Sequence, residues 1–269
     1  MEKTELEKKA KQIRLNTIEM IAKATSGHPG GSLSATDILV ALYYSKMHLY
    51  DNPHDERRDR FVLSKGHANP PLYAILADKG YVPKEELQYL RRLHHPFQGH
   101  PESNKCPGID CSTGSLGQGV SAATGMALGF KLKNMPNEVF VMTGDGEIDE
   151  GLCWEAFMSA AHYKLDNLTV IVDKNRLQLD GTTEEVMDHG DLRAKFEAFG
   201  FAVDVIDGHN FDEILAALDK KTAGKPHCIV ANTIKGKGVS YMENNLDWHG
   251  NAPKGENLEI ALKELGGEF

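Results

Sequence analysis

The run Val139-Phe140-Val141-Met142-Thr143-Gly144-Asp145-Gly146 identifies the architecture. Its first five residues are apolar or β-branched with no polar alternation, the pattern of a short strand buried on both faces. The Gly-Asp-Gly turn ends the strand and brings backbone close to whatever lies beyond it. A second run of the same kind, Leu168-Thr169-Val170-Ile171-Val172-Asp173, follows a helical pattern from Trp154 to Leu165. Helical patterns over Asp191–Phe199 and Phe211–Lys221 then alternate with strand-like runs over Phe201–Ile206 and His227–Thr233. Continuous apolar strands alternating with helices predict an α/β fold: a parallel sheet with helices on both faces.

Upstream, Leu6, Ile13, Ile18 and Ile21 mark an amphipathic helix ending near Thr25-Ser26-Gly27. A second helix is expected to start after Ser34, as its cap, and to reach about Met47. A strand over Arg60–Ser64 and a helix over Leu72–Lys79 come next. Pro83 opens a short helix at its favoured first-turn position. His94–Ser115 reads as loop, and Leu116–Lys133 as a helix rich in small residues.

The 269 residues suit one large domain or two small ones, and with no repeat or linker in view residues 1–269 are taken as one. A hydrophobic share of 41% and a charged share of 26% describe an ordinary globular chain. The net charge of −9 argues against nucleic acid and anionic membrane surfaces as partners, though not against a small anionic ligand held by local donors. Cys106, Cys111, Cys153 and Cys228 form no C-x-x-C pair and read as buried or half-buried thiols. Met1 to Lys11 has no apolar core of a signal peptide, and no run approaches the ~18 apolar residues of a membrane span. The expectation is therefore a cytoplasmic protein. Its 26 glycines exceed the roughly 7% average and gather at strand ends and helix starts, where open α/β sheets bind ligands.

Four constellations could carry chemistry. Asp145, in its glycine turn, is either part of a tight turn or a ligand for a hard divalent cation. Asp173-Lys174-Asn175-Arg176-Leu177, after the adjacent strand, favours the cation, because an amide oxygen and a backbone carbonyl complete the mixed oxygen shell that Mg²⁺ prefers. Thr113-Gly114-Ser115-Leu116-Gly117-Gln118-Gly119 is a helix start able to hold an anion, or merely a close-packed one. His28, His67, His100 and His249 sit in glycine-flanked loops. Each alone reads as a packed or surface histidine, and together they suggest a polar pocket; no spacing supports zinc. His48, His54, His94, His95, His162, His189, His209 and His227 have no comparable setting. Lys235, between Ile234 and Gly236, is either a solvated basic turn or a phosphate contact.

These residues resemble one family. Gly144-Asp145-Gly146, followed after 28 residues by Asn175, resembles the thiamine-diphosphate and metal motif of thiamine-dependent enzymes. Ser26-Gly27-His28-Pro29-Gly30, Ser64-Lys65-Gly66-His67-Ala68, Gly99-His100-Pro101-Glu102, the Thr113–Gly119 turn and Asp247-Trp248-His249-Gly250 narrow it. Together they resemble transketolase over nearly the whole chain, in the family's order. The resemblance implies the thiamine-diphosphate-binding fold, with Asp145, Asn175 and the backbone oxygen of Leu177 holding Mg²⁺, or Ca²⁺ or another divalent cation. It implies cofactor contacts from His67, Gly114, Ser115, Leu116, Gly146, Asn175, Lys235 and His249. His28, His100 and His249 would surround the donor's hydroxyl and carbonyl oxygens and relay protons, and Glu150 matches an acid in a proton network between paired sites. Lys174, where relatives often carry Asn or an acid, is expected to point away. Gly31 removes a hydroxyl that some relatives offer the cofactor.

The length departs from the family. A full transketolase has diphosphate-binding, pyrimidine-binding and C-terminal domains, and only the first is represented. The glutamate that activates the cofactor and most arginines that hold the sugar phosphate lie on the pyrimidine domain. The expected protein is thus the N-terminal subunit of a split transketolase of the pentose phosphate pathway, inactive alone. It would pair with a C-terminal subunit, as a heterotetramer, and move a two-carbon ketol unit between sugar phosphates. The alternatives are half of another ketol- or acyl-transferring thiamine enzyme, such as a deoxyxylulose-phosphate synthase, an inert partner-binding relic, or an artificial fragment. Glu264-Leu265-Gly266-Gly267-Glu268-Phe269 reads as a natural terminus.

Overall fold

The computed structural model describes residues 1–267; Glu268 and Phe269, the end of the expected domain and terminus, lie outside the described residues. The first helix, α1, spans Lys3–Ala24 and buries Leu6, Ile13, Ile18 and Ile21, ending where Thr25 turns left-handed. Helix α2 spans Pro29–Ala41 and is buried throughout. It begins earlier than expected because Pro29 occupies its first position, where fixed φ helps and the missing N–H costs nothing. Ser34 is therefore inside the helix and caps nothing; its hydroxyl donates to the Gly31 carbonyl and to Asp173. A π-helical turn, Leu42–Lys46, continues it.

Strand β1 (Arg60–Leu63) leads to α3 (Pro70–Asp78), and Pro83 just precedes a 3₁₀ turn over Lys84–Tyr89 rather than lying within its first turn. Then come α4 (Gln118–Leu132), β2 (Val139–Gly144), α5 (Gly151–His162), β3 (Leu168–Lys174), α6 (Thr183–Val186), α7 (Leu192–Ala198), β4 (Ala202–Asp207), α8 (Phe211–Leu218), β5 (His227–Asn232) and α9 (Gly255–Glu264). Helix α9 was not foreseen, although Leu258, Ala261, Leu262 and Leu265 form its apolar stripe against Ile18 and Leu33. The single turn of α6 is too short to show a period.

The five strands are all parallel, in the order β1-β2-β3-β5-β4. Alternate residues face opposite ways. Phe61, Leu63, Phe140, Met142, Ile171, Ile229 and Ala231 pack with α1, α2, α3 and α8. Val62, Val139, Val141, Val170, Val172, Cys228 and Val230 pack with α4, α5 and α7. The reversal between β4 and β5 puts α8 on the face opposite α5 and α7, as a constant crossover hand requires. Cys106, Cys153 and Cys228 are buried free thiols and Cys111 is half-buried, as anticipated. Among the described residues, no helix is long and apolar enough to cross a membrane.

Because every strand runs the same way, all five C-terminal ends share one edge. Just beyond them stand Lys65, Asp145, Asn175, His209 and Lys235, one after each strand. The loop after β5 folds back over α2, with the Gly236 N–H donating to the Gly30 carbonyl at 3.0 Å. At Gly236, φ is +82° and a Cβ would lie 2.2 Å from the Met242 carbonyl oxygen. Gly236→Ala should cost well over the ~1 kcal/mol of the left-handed backbone alone, lowering the urea midpoint; an unchanged midpoint would contradict this packing.

Candidate functional site

At the common edge of the strands lies a cavity of about 160 Å³ lined by Gly31, Lys65, His67, Leu116, Gly144, Asp145, Gly146, Glu147, Asn175, Leu177, Gln178, Leu179 and Lys235. It gathers six of the sequence-predicted residues from loops after four different strands, together with Leu116 from the turn before α4. Gly146 is required by close approach, since a Cβ there would sit 2.7 Å from Gln178 Cγ. A larger groove of about 690 Å³ at the opposite edge holds none of the predicted residues, and its Lys131 and Asp166 pair with each other at 2.8 Å.

The floor is a buried ion pair. Lys65 and Asp173 have 2% and 0% of their side chains exposed and pair directly. Asp173 also accepts from Ser34 Oγ at 2.6 Å and from Thr233 Oγ1, and Lys65 donates to the Gly31 carbonyl at 2.9 Å. Burial would raise the Asp173 pKa, but the Lys65 ammonium and the two hydroxyls bring it below the ordinary carboxylate value. A second buried acid, Glu147, braces the walls: it accepts from Ser64 Oγ at 2.5 Å and from the Gly117 and Gly144 N–H groups at 2.9 and 3.1 Å. That contact joins the turn before α4 to the end of β2.

Asp145 differs from Asp173 in having, among the described residues, no cationic side chain bonded to it. Its carboxylate accepts the Gly146 and Arg176 backbone N–H groups, at 3.1 and 2.6 Å. Burial, with Asp173 close by, pushes its pKa up to about 7. A buried carboxylate in that state is stabilised by a cation. Asn175 and Leu177 line the same cavity, so the oxygens at hand are a carboxylate, an amide that accepts the Leu177 N–H at 3.2 Å and a peptide carbonyl that accepts from Lys235 at 3.0 Å. Among the described residues, no three His, Cys, Asp or Glu side chains form a metal cluster. The all-oxygen, one-carboxylate set fits Mg²⁺ shared with a phosphate ligand, and does not fit zinc.

Lys235 also lines the cavity, 1% exposed. Its ammonium donates to the Leu177 carbonyl at 3.0 Å and to His249 Nδ1 at 2.8 Å. Burial, and then the Lys65 ammonium, lower its pKa to about 8. Such a cation is stabilised by an anion, so the cavity suits an anion and a divalent cation together.

Above it, three imidazoles form a triangle, with His28 and His67 centroids 5.1 Å apart and His249 5.5 Å from each. His28 and His249 are held near pKa 4, first by burial and then by Arg91 and Lys235 respectively; His67 is lower than its ordinary value for the same first reason, aided by Lys65. All three are neutral at pH 7. The tautomers follow from their donors. Arg91 donates to His28 Nδ1 at 3.3 Å and Lys235 donates to His249 Nδ1, so both rings carry their proton on Nε2.

The remaining predicted residues, His100, Gly114, Ser115 and Glu150, do not line the cavity. His100 packs against Gly114, where a Cβ would be 3.0 Å from its Cγ, and its charge would reach His28. Ser115 and Glu150 are exposed, and Glu150 makes no side-chain hydrogen bond or ion pair among the described residues. Lys174 does not line the cavity, as expected. Lys65 and Asp173 stood within quoted motifs without a role of their own, and Glu147 and Arg91 were not singled out. A charged residue at the end of an apolar strand was the available signal for the first two.

Residues 6–268 match the family described as transketolase, thiamine diphosphate binding domain. The chain is 46% identical to a 6-deoxy-6-sulfo-D-fructose transketolase subunit of a Clostridium species, covering 97% of this chain and 96% of that one. It is 40% identical to an apulose-4-phosphate transketolase subunit of Actinobacillus succinogenes, over 98% and 97%. Its fold superposes on the crystal structure of Campylobacter jejuni transketolase with a TM-score of 0.92 at 35% identity, covering all of this chain but 44% of that one.

Two measurements test this electrostatic arrangement. Lys65→Met leaves Asp173 buried without its cation and should cost about 3–5 kcal/mol, much of it recovered by Lys65→Met with Asp173→Asn; equal stability of the single variant and the parent would disprove the pairing. His28 and His249 titrate near 4 when folded but near 6.5 when unfolded. Between those values the unfolded chain binds more protons, so stability should fall as pH drops from about 6.5 to 4. Replacing both with Gln should flatten that slope in denaturation curves taken across pH.

Proposed function

The chain belongs to the transketolase family as its thiamine diphosphate binding domain, and we propose that it works as the N-terminal subunit of a two-chain transketolase. The observation that carries this reading is the neutral imidazole triangle set over a cavity with one uncompensated carboxylate and one uncompensated ammonium. Its near-complete overlap with proteins named as transketolase subunits supports the division into two chains.

In this reading residues 1–269 form one diphosphate-binding domain. Asp145, Asn175 and the Leu177 carbonyl would hold Mg²⁺ or a similar divalent cation. His67, Lys235 and the Gly114-Ser115-Leu116 turn would bind the diphosphate, with Gly146, Asn175 and His249 completing the cofactor contacts. Thiamine diphosphate, when bound, supplies the carbanion and the electron sink for carbon–carbon cleavage. The chain's own part is orientation and proton handling. The Nε2–H groups of His28 and His249 would donate to the donor's C1–C2 oxygens, and as neutral rings they neither repel a cation nor lose a proton too readily. His100 would join them, and Glu150 would lie in the contact between paired sites.

The reaction would transfer a two-carbon ketol unit from a ketose phosphate to an aldose phosphate, in the cytoplasmic pentose phosphate pathway. The pyrimidine-binding side and the sugar-phosphate contacts would come from a C-terminal subunit, with two of each chain in a heterotetramer. Relatives named for a sulfo sugar and for apulose 4-phosphate make the terminal anion the natural variable to screen.

Purified alone with thiamine diphosphate and Mg²⁺, the chain should show negligible ketol transfer, and reconstitution with the C-terminal subunit should restore it. Robust turnover by the isolated chain would overturn the subunit reading. In the reconstituted pair, Asp145→Ala should abolish Mg²⁺-dependent cofactor binding in calorimetry; unchanged affinity would remove Asp145 from the cation site.

A further inference from the structure

His209 lies after β4, outside every motif described above, yet it is at the centre of a buried network. Asp37 on α2 is held by Arg14 of α1 through two hydrogen bonds, at 2.8 and 2.6 Å. His209 Nδ1 meets the same carboxylate at 2.7 Å, and the His209 ring is only 11% exposed. On its other side, Nε2 accepts the backbone N–H of Ile234 at 2.9 Å. A backbone N–H can only donate, so Nε2 carries no proton and Nδ1–H donates to Asp37. The ring is thereby fixed in one neutral tautomer and one orientation.

Ile234 immediately precedes Lys235. The surrounding segment is anchored almost peptide by peptide: the Thr233 N–H to the Lys174 carbonyl at 3.1 Å, the Lys235 carbonyl to the Asn244 N–H at 2.9 Å, and the Gly236 N–H to the Gly30 carbonyl at 3.0 Å. Ile234 has left the β-ladder, and its N–H would be orphaned without His209. Asp37 is already matched in charge by the two-pronged Arg14 contact, so its bond to His209 serves to aim the ring.

We propose that His209 is a positioning residue for Lys235: the chain Arg14–Asp37–His209–Ile234 N–H transmits the placement of α1 and α2 to the Lys235 ammonium. That placement sets the Lys235 contacts to the Leu177 carbonyl and His249 Nδ1. It links the helix whose start carries His28 to the lysine that lines the cavity, across a sequence separation of 172 between Asp37 and His209. Its consequence for a phosphate ligand rests on the assignment of Lys235 as a thiamine diphosphate contact.

Two substitutions separate the two sides of the ring. His209→Asn keeps an N–H near Nδ1 but has no acceptor to reach Ile234, whereas His209→Gln places an amide oxygen near the Nε2 position. The reconstituted two-subunit protein is titrated with thiamine diphosphate in Mg²⁺, and the His249 ring nitrogens are followed by ¹⁵N NMR of the full chain. His209→Asn should weaken cofactor binding about tenfold and shift the His249 Nδ1 resonance, while His209→Gln restores both. Undiminished affinity in His209→Asn, or equal losses in both variants, would overturn the proposal. If His209→Asn does not fold, His209→Gln decides: parental affinity with an unmoved His249 signal supports the proposal, and a tenfold loss overturns it. If the unsubstituted pair does not bind thiamine diphosphate, the functional assignment fails instead. The His249 resonance then decides alone, its shift in His209→Asn supporting the positioning role and its constancy overturning it.

Discussion

The pairing of Lys65 with Asp173 is the interaction on which the edge of this sheet depends. It joins the loop after β1 to the end of β3, and through Ser34 and Thr233 it reaches α2 and the segment after β5. Taking an ammonium and a carboxylate out of water costs several kcal/mol each, which only close geometry and added hydrogen bonds offset. Such a pair contributes little net stability compared with an apolar substitute. What it does is fix how four elements meet, because any displacement would leave a charge buried and unmatched.

Around that balanced pair the site is unbalanced. Among the described residues no cation is bonded to Asp145 and no anion to Lys235, and three histidines stay neutral because burial and nearby cations disfavour their charged forms. Each departure has the same origin, burial on a strand edge; a cation would relieve the first and an anion the second. A chain with net charge −9 thus carries a local preference for an anion, which overall composition could not reveal.

Much of this was legible in advance. Apolar runs beginning at Val139 and Leu168 marked buried parallel strands, and glycine turns after them marked the ligand edge. Asp145, Asn175, His28, His67, Lys235 and His249, picked out by setting and motif order, do converge. Ser34 was misread because a serine before an apolar run looks like a cap, while Pro29 had already started the helix. His209 passed unnoticed because its partners, Asp37 and Ile234, are remote in sequence and have no motif of their own.

The sequence by itself determined the alternation of the main strands and helices, the parallel direction of the sheet and the kinds of side chain at its edge. These follow from periodicity and backbone chemistry acting over a few residues. Which charges are compensated, which tautomer each ring holds and which residues brace Lys235 were decided only by the tertiary structure. Those properties depend on desolvation and on hydrogen bonds between groups brought together from distant parts of the chain, and neither exists until the sheet has closed around them.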